Sequence, residues 1–116
     1  MAEKPHERLM AFQRADELAR ACLKLGKASD SFIMGEMRQQ ALQIPAYIAA
    51  ASAMKSPPEA KGFAMKAISS AARVSYLVSL AGKLKVFSKQ ATQEKMRQVA
   101  DEVLELVRDF WESLSL

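Results

Sequence analysis

One cysteine, one histidine and one tryptophan are all that the 116-residue chain holds of those types, and it has four glycines, four prolines and an aromatic content of 7%. Each scarcity excludes something. A lone Cys22 cannot build a disulfide framework within one chain, and its place on an apolar helical face points to a reducing compartment. His6 stands alone near the start and Cys22 has no Cys or His at ligand spacing, so no zinc-type ligand set is present. No glutamate has a histidine three residues later, which removes the di-iron bundle motif. Sparse glycine, proline and aromatic residues argue against a sandwich or barrel, which needs many turns and β-branched or aromatic strands. No run approaches the ~20 apolar residues of a membrane span. Glu3, Lys4, His6, Glu7 and Arg8 occupy the place where a signal peptide would be apolar, so a cytoplasmic location is expected. Glycine-rich phosphate loops are also missing.

What remains is a chain that is 50% hydrophobic and 26% charged, the balance of a globular protein, and long enough for one domain over residues 1–116. Alanine, leucine, methionine, glutamine, lysine and glutamate dominate, and these favour helices. Four helices are predicted, at about 5–25, 32–54, 58–84 and 92–114. Pro5 suits the start of the first and Gly26 a left-handed cap at its end. Its apolar positions Ala11, Ala15, Leu18, Cys22 and Leu25 recur at helical spacing. In the second helix Met37, Ala41, Ile44, Ile48 and Ala51 share a face. Pro45 should kink that helix or break it locally, the alternative being that one helix ends there and another begins. Lys55-Ser56-Pro57-Pro58-Glu59 is a clear boundary, and Thr92 is the expected N-cap of the last helix. The third helix has two stripes. One is Phe63, Ala67, Ser70, Val74, Leu77, Ala81 and Leu84; the other, of smaller residues, is Ala64, Ile68, Ala71, Ser75, Val78 and Gly82. Two apolar faces predict a helix that is central or that touches another subunit, with Ala64, Ile68, Ala71 and Val78 as the candidate oligomer interface. Helices of this length with short links predict an all-α, antiparallel up-down-up-down four-helix bundle.

Charge is unevenly placed. The net charge is +4. Residues 1–37 are neutral, residues 38–97 carry ten basic side chains against Glu59 and Glu94, and residues 98–116 carry Arg108 against five acids. A basic middle of this kind points to an anionic partner. Arg38, Lys66, Arg73 and Lys83 are the candidate phosphate contacts, because a row of cations binds nucleic acid through counterion release without further apparatus. Tyr47 and Tyr76 are the only stacking residues among basic neighbours.

Catalytic patterns find little support. Ser52-Ala53-Met54-Lys55 has the Ser-x-x-Lys spacing of penicillin-binding enzymes, but it falls at a helix end in a chain too short for that fold. Asp101, Glu102, Glu105, Asp109 and Glu112 read as a solvated face, with Arg97 and Asp101, and Arg108 and Glu112, at pairing distance. No enzyme activity, cofactor or small-molecule substrate is therefore expected.

The stretch from Met34 through Gly35-Glu36-Met37-Arg38-Gln39-Gln40 and Ile44-Pro45-Ala46-Tyr47 to Ala49 resembles the signature helix of the small four-helix-bundle proteins encoded in intervening sequences of large-subunit ribosomal RNA genes. Leu9 to Leu18 is similar to their first helix, with Phe12 where a tryptophan is usual. Ser75-Tyr76-Leu77-Val78-Ser79-Leu80-Ala81-Gly82-Lys83-Leu84 resembles that group and its relatives, the accessory variability determinants of diversity-generating retroelements. Arg73 and Ser75 replace glutamates common in the intervening-sequence group, which moves the surface toward the retroelement proteins; Val107 replaces a glycine frequent in both. The resemblance implies a homopentameric ring with a basic surface that binds RNA or DNA in support of a reverse transcriptase. Its alternative is an intervening-sequence-type structural or protein-interaction bundle with no nucleic-acid role.

Overall fold

The computed structural model describes residues 5–27 and 31–114, all of them helical or in short links. A 3₁₀ turn at Pro5–Arg8 precedes four α-helices: α1 (Met10–Lys27), α2 (Phe32–Ala53), α3 (Pro57–Lys83) and α4 (Gln90–Ser113). At 1.5 Å per residue α3 is about 40 Å long, close to the longest dimension of the molecule, 43 Å. Each helix packs on its chain neighbours and α4 closes against α1, while the backbones of diagonal helices stay more than 8 Å apart among the described residues. The α2/α3 seam is the most extensive and the α1/α4 seam the thinnest. Side-chain pairs give the direction. Gln43 of α2 meets Ser70 of α3, and Tyr47, one turn further along α2, meets Phe63, two turns back along α3. Ser75 meets Asp101 and Lys61 meets Trp111 in the same opposed sense on α3 and α4. The four-helix bundle is thus observed, with neighbouring helices antiparallel.

The core alternates large and small side chains. Leu18, Met37, Ile44, Ile48, Val74, Val103 and Val107 fill its centre, and Ala15, Ala41, Ala64, Ala67, Ala71 and Ala100 let the backbones approach. Fully burying a residue such as Ile44 or Ile48 contributes about 1.5–3 kcal/mol. Both stripes of α3 pack into this core except at Leu84, which is exposed. Phe63 and Ser70, from the first, face α2. Ser75, from the second, donates to Asp101 of α4, and Gly82 receives the Gln93 side chain, whose amide lies where a Cβ would stand. The second stripe is therefore the α4-facing one.

Element boundaries differ from the sequence reading in three places. The first helix starts at Met10, not Pro5, because the preceding residues form a separate turn held by Gln13 Nε2 donating to the Glu7 carbonyl at 3.0 Å. Its end also runs through Gly26 to Lys27, so Gly26 is not its cap; residues 28–30 of the expected link lie outside the described residues. The last helix opens at Gln90, with Lys89 as an N-cap that makes no side-chain bond, and Thr92 lies inside its first turn. By contrast α2 is one helix through a buried Pro45, which rules out the two-helix alternative. Ser31 caps it, accepting from the Met34 amide at 3.1 Å.

The end of α3 carries a strained residue. Lys85 has φ of 54°, while its amide donates to the Gly82 carbonyl and that of Val86 to the Ala81 carbonyl. This is the paired Schellman bonding that ends many helices, normally with glycine in the left-handed position. A β-carbon there costs about 1–2 kcal/mol. Replacing Lys85 by glycine is accordingly expected to raise the unfolding free energy by about 1 kcal/mol in a urea titration, and replacing it by valine to lower it.

Candidate functional site

Charge in the folded chain is divided between two halves. The ion pairs between described residues all lie on α1 and α4: Arg14 with Glu17 and Glu102, Arg20 with Asp16, Arg97 with Glu94 and Arg108 with Glu105. Arg97 and Arg108 pair backwards along α4 rather than with Asp101 and Glu112 as the spacing predicted. Asp101 instead accepts from the Ser75 hydroxyl of α3 at 3.0 Å. Arg14 is the one that crosses between helices, its Nε 3.1 Å from Glu102. No acidic side chain among the described residues pairs with Arg38, Lys66, Arg73 or Lys83. The basic middle of the sequence is thus divided in the fold: Lys95 and Arg97 go to α4, where Arg97 is ion-paired, while the cations of α2 and α3 have no acidic partner among the described residues.

The four candidate phosphate contacts do not form one row. Lys66 and Arg73, seven residues apart, share the outer flank of α3 that looks toward α2. The Lys66 ammonium stands over the α2/α3 seam, 5.3 Å from the Phe63 ring centre and 5.9 Å from that of Tyr47. Arg73 lines a groove with Ser69, Ala72, Tyr76 and Leu77 of α3 and with Glu36 and Gln40 of α2. Lys83 is near the end of α3 and, at 100° per residue, about a quarter turn away from that line. Arg38 is two residues from both Glu36 and Gln40 and so occupies the other flank of α2, with its guanidinium against Gly35. Lys61, a further basic residue of α3, is engaged on the far side, its ammonium 4.1 Å from the Trp111 ring centre. Of the four candidates the groove thus takes only Arg73, with Lys66 two turns back on the same flank of α3 beside Phe63 and Arg38 and Lys83 elsewhere.

Two groove residues escaped the sequence reading. Gln40 contributes a buried side-chain oxygen with no hydrogen-bond partner, and Glu36 lies one turn before it on the same flank. Their signal was present as the polar row Glu36, Gln40, Gln43, but the spacing alone does not say which helix that row faces.

The interface candidates fare differently. Ala64, Ala71 and Val78 are 0%, 1% and 0% exposed within a single chain, and Ile68 is half-buried against the core. This corrects the assignment of the second α3 stripe to another subunit: α4 already covers it. Large apolar side chains are exposed elsewhere, with Phe32 at 81%, Leu84 at 58%, Leu42 at 53% and Met65 at 50%.

The remaining reactive group is sealed. Cys22 is fully buried, and loss of solvation pushes its thiol from 9.0 up to about 12. No three His, Cys, Asp or Glu side chains converge among the described residues, and no helix of the described residues is long and apolar enough to cross a membrane. The chain matches no family model and no curated protein. The fold defines it by class alone, a four-helix bundle whose ion pairs, among the described residues, lie on α1 and α4.

Because the folded thiol has the higher pKa, the stability it contributes is intact below pH 9.0 and is lost as pH rises toward 12. A thiol-specific reagent at pH 8 is expected to label native Cys22 only at the rate of opening and to label it at once in denaturant. Rapid labelling of the native protein contradicts the burial.

Proposed function

We propose that the protein is a non-enzymatic, oligomeric bundle whose basic α2/α3 face binds RNA or DNA, in the manner of the reverse-transcriptase accessory proteins of diversity-generating retroelements that it resembles. The observation that carries this reading is the segregation of charge. Acids neutralise the arginines of α1 and α4, whereas Lys66 and Arg73 have no acidic partner among the described residues. A solubilising surface gains from interspersed signs; an anion-binding one gains from cations left free to exchange their counterions for phosphates. The homopentameric ring comes from the resemblance, and the exposed Phe32, Leu42, Met65 and Leu84 supply apolar surface for contact between subunits in place of the buried α3 stripe. In such a ring the basic face is repeated on every subunit, and low affinity at one face is amplified by simultaneous engagement.

The same exposed apolar residues favour the second reading, an intervening-sequence-type bundle that binds protein alone. Nucleic-acid titrations separate the two. Affinity for RNA and duplex DNA is expected to fall linearly with salt on logarithmic axes, and the Lys66→Glu, Arg73→Glu double variant to lower that slope by about 2 while its thermal melt is unchanged. Absence of binding at low salt, or binding indifferent to salt, favours the protein-only reading. Sedimentation at micromolar concentration is expected to show an oligomer; a stable species of 12.8 kDa refutes the assembly.

A further inference from the structure

Resting on that reading, the α2/α3 groove carries a more specific inference. We infer that it is a binding site for a single, unpaired nucleotide of a polynucleotide strand, with the base stacked on Tyr76, its Watson–Crick edge donating to Gln40 and its phosphate held by Arg73.

Four features of the groove converge on this assignment. Tyr76 is 64% exposed, an aromatic ring left in solvent beside a cation, and stacking on such a ring is how proteins hold unpaired bases irrespective of sequence. Arg73, three residues earlier on α3, lies on the same outer flank one turn away. It lines the groove with Tyr76 and has no acidic partner within ion-pair distance among the described residues, so its guanidinium is free for a phosphate oxygen. Across the groove the side-chain oxygen of Gln40 is buried and accepts no hydrogen bond. A buried acceptor without a donor costs about 1–3 kcal/mol, and a turn of the Gln40 amide that brings its oxygen to a ligand N–H in the groove removes that cost. The space is about 600 Å³, within the range of small-molecule sites.

These features select an unpaired strand over a duplex for two separate reasons. Within a double helix the faces of the base are stacked on its neighbours, so Tyr76 has nothing to cover. The imino and amino hydrogens of the Watson–Crick edge are likewise spent on the complementary strand, so none is left for Gln40. An unpaired strand offers both, and every base has at least one N–H on that edge, which makes the site tolerant of sequence. Glu36, also in the groove, is a second acceptor for such hydrogens and repels phosphate from that end, so the backbone is directed toward Arg73 and, about 10 Å further along α3, Lys66.

Fluorescence anisotropy with labelled single-stranded RNA, single-stranded DNA and duplex DNA of equal length tests it at one low salt concentration. Wild-type protein is expected to prefer both single strands to the duplex. Tyr76→Ala is expected to lose roughly ten-fold or more of the affinity for single strands and none for the duplex, while Tyr76→Phe, which keeps the ring, retains wild-type affinity. Gln40→Met, of similar shape and without the acceptor, is expected to narrow the gap between strand and duplex. Binding in which Tyr76→Ala weakens strand and duplex alike, or neither, overturns the stacking site and leaves the basic-face reading standing. Failure of the wild type to bind any of the three overturns both. A preference for RNA over DNA single strands identifies the ribose hydroxyl as a further contact, and equal affinity places recognition in base and phosphate alone; either supports the site.

Discussion

Everything on the surface of this bundle depends on how α3 is wedged between its neighbours. One flank of the helix packs on α2 through Phe63 and Ser70, the next on α4 through Ser75 and Gly82, and alanines at Ala64, Ala67 and Ala71 keep the helices close enough for both contacts to hold. Little more than a third of the helix circumference remains outside. Polar residues needed for solubility and any residue needed for recognition must share that strip, which is why Lys66, Ser69, Arg73 and Tyr76 fall in a line. The wedge also fixes the groove, because the α2 wall is set at its depth by the Gln43–Ser70 bond and the Tyr47–Phe63 contact rather than by anything in the groove itself.

Helix number, order and approximate extent were legible in the sequence because each rests on local chemistry. Apolar residues at Met37, Ala41, Ile44 and Ile48 have one periodicity, and two consecutive prolines at Pro57 and Pro58 can only begin a helix. Ends were less legible. The left-handed residue of α3 is Lys85, a type that no rule selects, whereas Gly26, which the rule does select, is in mid-helix. The second stripe of α3 was seen correctly as apolar, and of its two readings, a central helix or contact with another subunit, burial within the chain supports the first. Periodicity reports that a face is buried and is silent on whether the cover comes from the same chain or from another.

The same limit applies to the site. Lys66 and Arg73 are on one helix, so their seven-residue spacing was enough to place them together. Arg38 belongs to another helix, and its rotation about α2, two residues out of phase with Glu36 and Gln40, puts it on the wrong flank. Gln40 is a more instructive omission. Glutamine in an amphipathic helix reads as solvated, and only packing of α2 against α3 turns its oxygen into a buried acceptor without a donor. Lys95 and Arg97 of the basic stretch go to α4, but the rest of the charge segregation survives the step from sequence to structure, because α2 and α3 are consecutive in the chain and adjacent in space.

That adjacency has a consequence for how the groove comes into being. Its two walls belong to a helical hairpin closed by the three residues 54–56, so the contacts that shape it are short in sequence separation and can form before α1 and α4 have found each other. The outer pair meets along the thinnest seam of the molecule, bridged by Arg14 and Glu102 on the surface, where an exposed ion pair contributes little. Fraying would therefore begin at the side of the molecule remote from Tyr76 and Arg73, and the hairpin that bears them would be the last part to lose its shape.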